Sequence, residues 1–369
     1  MNKTINLGGI KIPINPDKGL FVPKIDKGFL LEGIGAKTLK KIAAGVVKNK
    51  ALLFIGPTGC GKTASIKYLA NNTNNSYKRI QITGSTDVEH LAGRWLLNDK
   101  GTYWVNGILA EAMKHGYWLL LDEINTALPE VMFIINSVLD DDAKLILDLK
   151  DGEEIERHPN FRMFAAMNPS EDYAGTKEMN KAQKDRFQII PFSYPNEKME
   201  MKILESRSGV SNKLGTLKNS NRGVLKRIVE FANVLRKKHT EQEIVSVCST
   251  RQLIDWIQLS DILTLKEAAE MAVLDRAEEE EKEKIYDELN KFFVNKETLE
   301  SNEKEDEYQK KRLEEKKKLE EKRAEAQNER QHNILEDNAL PPNSKVTIEK
   351  MEVDKTSEKL EKEEVTIQF

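Results

Sequence analysis

With 369 residues the chain can hold one large domain or two ordinary ones plus appendages, and its 39% hydrophobic and 32% charged content averages two unlike regions. A formal net charge of −3 excludes a global pull toward nucleic acid or an anionic membrane, though a local basic surface would be hidden in that total. Two distant cysteines, Cys60 and Cys248, exclude a disulfide framework, and no Cys/His cluster has zinc spacing. The N-terminus lacks a signal-peptide apolar core, and no apolar run reaches the roughly eighteen residues of a membrane span. These features describe a reduced, soluble, cytoplasmic protein.

Residues 1–30 carry Gly8, Gly9, Pro13, Pro16 and Pro23 between short apolar patches, which reads as an extended N-terminal arm lying on a domain. Residues 37–48 show helical spacing, with Leu39, Ile42 and Val46 on one side. A strand over Ala51–Ile55 leads into Gly56-Pro57-Thr58-Gly59-Cys60-Gly61-Lys62-Thr63 and then a helix through Ile66 and Leu69. Further apolar strands are expected at Lys78–Thr83, Trp118–Asp122 and Phe161–Met167. Strand and helix alternate, so residues 31–195 are expected to form an α/β domain around a parallel sheet. Two stretches break the rhythm and read as hairpins: Gly93–Gly107, turning over Asn98-Asp99-Lys100-Gly101, and Lys144–Arg157, turning at Asp151-Gly152.

After Pro195 the pattern becomes helical, at 197–206, 223–238, 250–263 and 265–294, giving an α-helical lid subdomain over 196–295. Residues 296–334 are nearly all charged or helix-forming, with Glu307/Lys311 and Glu314/Lys318 in the i, i+4 order of an exposed helix. Residues 335–369 have the composition of a disordered tail. Within that tail Val346-Thr347-Ile348 recurs as Val365-Thr366-Ile367, either by chance or as β-prone segments able to add a strand to a partner's sheet.

The segment from Gly56 to Thr63 fits G-x-x-x-x-G-K-[ST] between a strand and a helix, the context that gives this P-loop motif its meaning. Its glycines let successive N–H groups face a phosphate chain at the positive end of the following helix. Lys62 would reach the β- and γ-phosphates of ATP, and the Thr63 hydroxyl would bind Mg²⁺. Downstream, Leu119-Leu120-Leu121 ends in Asp122-Glu123, which puts two carboxylates at the carboxyl edge of the sheet. Asp122 would hold the metal through water, and Glu123 would deprotonate the attacking water. Cys60 reads as a small side chain tolerated in the loop, with a redox role as the alternative.

Together GPTGCGKT, LLLDEIN and FRMFAAMNPSEDYAGTKEMNKAQKDRF resemble the AAA+ ATPases. Over roughly residues 30–290 the chain looks most like the branch holding MoxR-type ATPases, the cobaltochelatase small subunit, and the midasin and dynein modules. TGSTDVEHLAGRW and TYWVNGILAEAMKHGYWLLLDE are the stretches most typical of that branch, and HPNFRMFAAMNP with Tyr173-Ala174-Gly175 most resembles its cobaltochelatase-like and midasin-like members. In that branch one hairpin interrupts a helix and another precedes a sensor strand. The resemblance makes Asn168 the first sensor, which is compatible with Asn-Pro simply ending a strand. It makes Arg186 an arginine finger acting on a neighbour's γ-phosphate, against a surface ion pair as the plain alternative. Arg251 matches the second sensor, although Ser249-Thr250-Arg251 is also a helix N-cap. Arg94 and Arg162 are further candidates for a trans-acting role.

Resemblance to that branch implies a homo-oligomer, most often a hexameric ring, that couples ATP hydrolysis to remodelling of a protein client, with the hairpins facing the pore or partner. A partner carrying a von Willebrand-type domain would suit this reading. A second reading is the motor subunit of a cobalt or magnesium chelatase, with chelation in another subunit. A third is a nucleic-acid-stimulated motor, disfavoured because aromatic and basic residues interleave only around Trp95, Tyr103 and Trp104. A nucleotide-gated scaffold without catalysis is disfavoured because Lys62, Asp122, Glu123, Asn168 and Arg186 are all present.

Overall fold

A computed structural model describes residues 3–24, 28–140, 144–169, 179–211 and 222–293. The described residues as far as Phe292 lie in one compact unit. The Tyr173-Ala174-Gly175 element, the charged segment 296–334 and the tail 335–369 with its repeated Val-Thr-Ile lie outside the described residues.

In chain order, a hairpin of β1 (Thr4–Leu7) and β2 (Ile10–Pro13) precedes α1 (Ala36–Val47), β3 (Leu52–Ile55), α2 (Lys62–Asn72), β4 (Tyr77–Gln81) and α3 (Val88–Leu91). A second hairpin, β5 (Gly93–Asn98) and β6 (Gly101–Asn106), leads to α4 (Ile108–His115), β7 (Trp118–Asp122) and α5 (Pro129–Ser137). A third, β8 (Lys144–Leu147) and β9 (Glu153–Glu156), precedes β10 (Arg162–Met167), α6 (Lys181–Asp185) and β11 (Gln188–Pro191). The helices α7 (Glu197–Ser211), α8 (Arg222–Thr240), α9 (Thr250–Leu259), α10 (Leu265–Ala272) and α11 (Lys282–Phe293) complete the order.

Five strands make one parallel sheet in the order β11-β3-β10-β7-β4. In the three central strands, β3, β10 and β7, side chains alternate between two covered faces, which is why these read as nearly continuous apolar runs. Leu53, Leu119, Leu121, Met163 and Ala165 pack toward α4 and α5, while Leu52, Phe54, Leu120, Phe164 and Ala166 pack toward α1 and α2. The order of the strands and the helices on both faces are those of a P-loop AAA+ domain.

The Gly93–Gly107 hairpin separates α3 from α4 and brings their ends side by side. α3 ends at Leu91, and Gly107 donates its N–H to the Ala92 carbonyl at 3.0 Å as α4 begins. A Cβ on Gly107 would sit 2.3 Å from the Leu91 carbonyl carbon, so the two helix ends meet only because this residue has no side chain. The hairpin leaves Trp95, Leu97, Tyr103 and Val105 exposed, and Trp95 Nε1 donates to the Leu149 carbonyl of the β8–β9 hairpin at 2.7 Å.

Two segments differ from their sequence readings. The stretch read as an extended arm is folded back at Gly8-Gly9 into the β1–β2 hairpin, because Leu7 and Ile12 bury themselves beside Leu39, Ile42 and Ala43 of α1. The helix expected over 265–294 is broken after Ala272 into α10 and α11, with two single 3-10 turns between them. Among the described residues no helix is long and apolar enough to cross a membrane.

Because Ile12 is 1% exposed, Ile12→Ala should destabilise the chain by about 2–4 kcal/mol through lost burial and a residual cavity. Urea unfolding with an unchanged slope would measure it, and a change under about 0.5 kcal/mol would mean that the hairpin is not part of the cooperative core.

Candidate nucleotide site

The P-loop leaves β3 at Gly56 and enters α2 at Lys62. Gly56 lies where a Cβ would be 2.4 Å from the Phe192 carbonyl oxygen, and Gly59 and Gly61 have φ of 71° and 98°, values that favour glycine. The turn so formed opens on a cavity of about 560 Å³. Thr58, Gly59, Cys60, Gly61, Lys62 and Thr63 form one wall of it, with Asp122, Glu123 and Asn168 beside them and Arg251 facing them from α9. Gly56 and Pro57 contribute carbonyls to Lys62 rather than wall.

Lys62 Nζ donates to the carbonyl oxygens of Gly56 at 2.5 Å and Pro57 at 2.8 Å, and to Asn168 Oδ1 at 2.9 Å. All three ammonium hydrogens are thus matched to acceptors, as a buried charge requires. Burial lowers the Lys62 pKa below its ordinary value; Cys60, Asp122 and Glu123 oppose that shift, and the Arg251 charge adds to it. A phosphate chain in the cavity would face both cations. Burial also pushes the Cys60 thiol up, which keeps it protonated and slow to react.

Asp122 ends β7, and Glu123 is the next residue. Thr63 Oγ1 donates to Asp122 Oδ2 at 3.3 Å, and Arg79 of β4 reaches the same oxygen with Nε at 2.9 Å and a terminal nitrogen at 2.8 Å. A hydroxyl beside a carboxylate is the hard-oxygen set that suits Mg²⁺, so these residues fit that ion. Glu123 takes a left-handed conformation, φ 57° and ψ 40°, which is strained for a residue with a side chain. The turn is held by Thr126, whose Oγ1 lies 2.8 Å from the Glu123 carbonyl oxygen and 2.7 Å from that of Ile82, with one hydroxyl hydrogen shared between them. Gln81 Nε2 donates to Glu123 Oε2 at 2.9 Å.

Like the other two arginines selected for a role in trans, Arg94 and Arg162, Arg186 does not join this group. It lies in a second cavity, of about 630 Å³, where its Nε pairs with Asp140 Oδ1 at 3.1 Å. Arg162 stands at the opposite end of β10 from Asn168 and spends its donors on the carbonyls of Val46, Pro159 and Phe161, each at 2.7 Å. Arg94 is exposed on the β5–β6 hairpin.

Residues 51–187 match the family model described as the AAA domain of the dynein-related subfamily. Over 238 residues the chain is 32% identical to an uncharacterized protein of Staphylococcus saprophyticus, covering 63% of this chain and 86% of that one. The chain belongs to the dynein-related AAA+ ATPases. A Staphylococcus epidermidis protein, likewise uncharacterized, is 31% identical over 253 residues, 67% of this AAA+ chain and 91% of its own. Midasin of Dictyostelium discoideum is 36% identical over 167 residues, which cover 45% of this chain and only 3% of midasin.

Sequence reasoning passed over three groups in this AAA+ site. Arg79 and Gln81 lie on β4, where Gln81 is the register partner of Asp122, so a look along the strand beside the Asp-Glu pair for polar residues would have found both. Tyr194, which donates its hydroxyl to the Thr58 carbonyl at 3.0 Å, carries no such signal.

Lys62→Ala should weaken ATP binding by about 10²-fold, the scale of losing charge-assisted contacts to phosphate. Calorimetric titration with a circular-dichroism control would check it, and unchanged affinity in a folded variant would remove Lys62 from phosphate binding.

Proposed function

We propose that this AAA+ ATPase hydrolyses ATP with Mg²⁺ in a ring of like subunits, hexameric by resemblance, and that the cycle remodels a protein partner. The observation carrying the shared site is the position of Arg186. Lys62, Thr63, Asp122, Glu123, Asn168 and Arg251 gather around one cavity, whereas Arg186 stands in another, half-exposed and held by a surface ion pair to Asp140. Such a pair is weak and easily exchanged, which leaves a permanent cation available to an adjoining subunit's phosphate.

Within one chain, Lys62 and the P-loop amides bind the phosphates, and Arg251 approaches them from the helical region. Thr63 and Asp122 would hold Mg²⁺, whose charge offsets that of the β- and γ-phosphates when it is bound. Asn168 orients the attacking water, and Glu123 accepts its proton. For that Glu123 must exchange its contact with Gln81 for one with water. Arg186 of a neighbour then faces the charge that develops on the γ-phosphate.

The partner reading draws on the β5–β6 hairpin. Its exposed side chains mix the apolar Trp95, Leu97, Tyr103 and Val105 with Arg94, Asn98, Asp99, Lys100 and Thr102, so it carries little net charge. A surface of that kind fits a protein better than a polyphosphate backbone, which is met by dense positive charge.

ATP hydrolysis measured against protein concentration, with mass followed by light scattering, tests the shared site. Specific activity should climb with assembly. Arg186→Ala should lower kcat by about 10³-fold while ATP affinity stays within about twofold. Activity that ignores concentration and tolerates Arg186→Ala would instead mean that each subunit works alone. Separately, Glu123→Gln should bind ATP normally and accumulate as an assembled, non-hydrolysing species; turnover equal to that of the unmodified chain would exclude Glu123 as the base.

A further inference from the structure

Three side chains that do not line the nucleotide cavity join its two walls. Tyr194, between β11 and α7, donates its hydroxyl to the Thr58 carbonyl of the P-loop at 3.0 Å. The Arg236 guanidinium of α8 lies 4.0 Å from the centre of the Tyr194 ring. Arg236 also grips Glu200 of α7 through two bonds, 2.7 and 2.8 Å, and its Nε donates to the Cys248 carbonyl at 2.8 Å. Glu200 is fully buried, and its Oε1 accepts a further bond from Thr250 Oγ1 at 2.5 Å. Thr250 opens α9 and directly precedes Arg251.

A buried ion pair of this kind contributes little net stability, because desolvating both charges offsets most of their attraction. Its distinctive effect is geometric. Two parallel bonds, a stacked ring and a shared hydroxyl fix α7, α8 and the start of α9 in one arrangement. The same unit reaches the P-loop at a place where orientation matters. A trans peptide points its C=O and the next N–H in opposite directions. Holding the Thr58 oxygen toward Tyr194 therefore turns the Gly59 N–H away from it. Gly59 lines the cavity, and among the described residues its N–H meets no acceptor. On the other side α9 packs close: a Cβ on Gly59 would be 3.0 Å from Ser249 Cβ and 3.3 Å from Arg251 Cβ.

We infer that Tyr194, Arg236 and Glu200 are positioning residues that set the Gly59 amide and the Arg251 guanidinium against the same phosphate chain. The P-loop and the lid helix are thereby one receiving unit. This rests on Arg251 facing the nucleotide, as proposed above. Rearrangement of the lid would reach the P-loop through Tyr194, and a change at the phosphates would reach α7 and α8 by the same contacts.

The test is a double-mutant cycle on the full chain, reading ATP affinity by titration together with kcat and KM. Tyr194→Phe keeps the ring over Arg236 and removes the hydroxyl that bonds to Thr58; it should raise the ATP Kd about three- to tenfold. Thr250→Val, nearly isosteric, should act in the same direction through Arg251. In the Arg251→Ala background Thr250→Val should add less than about twofold, since its effect runs through a group already removed. Full additivity there, or normal affinity in both single variants, would overturn the positioning role. If Arg251→Ala itself leaves affinity and turnover unchanged, the nucleotide-facing reading of Arg251 falls, and the inference with it. Unfolding midpoints for each variant separate these outcomes from general destabilisation, because loss of stability alone would not cancel in the cycle.

Discussion

Parallel hydrogen bonding among β3, β10 and β7 decides where chemistry can occur in this chain. Met167 is paired with Ile55, and Ala166 with both Phe54 and Asp122. The residues just beyond those pairs are Gly56, Asn168 and Glu123, so three separate segments deliver their polar groups to one edge. A slip of one residue along any of these strands would turn its side chains to the opposite face. Both faces are apolar, so what resists that slip is the fit of particular side chains into two close-packed layers, and the core thereby fixes the site as firmly as any contact inside it.

Charge at that edge is arranged as a set of exchangeable partners. Lys62 is satisfied by two carbonyls and Asn168, Asp122 by Arg79 and Thr63, and Glu123 by Gln81. None of these three ions is left unmatched, which for a buried charge would cost several kcal/mol. Ligand binding at such a site is a reshuffling of existing bonds, and its net free energy is a difference between two well-satisfied states.

Much of this was legible in the sequence wherever a local pattern has one physical meaning. Glycines ahead of Lys62-Thr63, an apolar run closing on Asp122-Glu123, and turn residues between short β-prone segments each identified their structures. β11 was not picked out, because Gln188–Pro191 is four residues long, lies at the sheet edge and closes with proline. The β1–β2 hairpin had its Gly-Gly signal, but what converts that signal into a docked hairpin is burial of Leu7 and Ile12 on a helix far along the chain. Tyr194, Glu200 and Arg236 were invisible for a related reason. They are spread over forty-odd residues, and only the packing of α7 and α8 brings their charges together.

The join at Leu91 and Gly107 has a bearing on how such a domain can diversify. The hairpin departs and returns at adjacent points, where the end of α3 meets the start of α4. Loop closure costs grow slowly with length, and an excursion whose ends already touch disturbs neither the helix before it nor the one after. The segment between Gly93 and Asn106 can therefore be lengthened, shortened or recoded while the ATP-binding edge keeps its register. Gly107, and Gly93 at φ 131° with a Cβ position 2.5 Å from the Val105 carbonyl oxygen, are the residues that such variation has to retain.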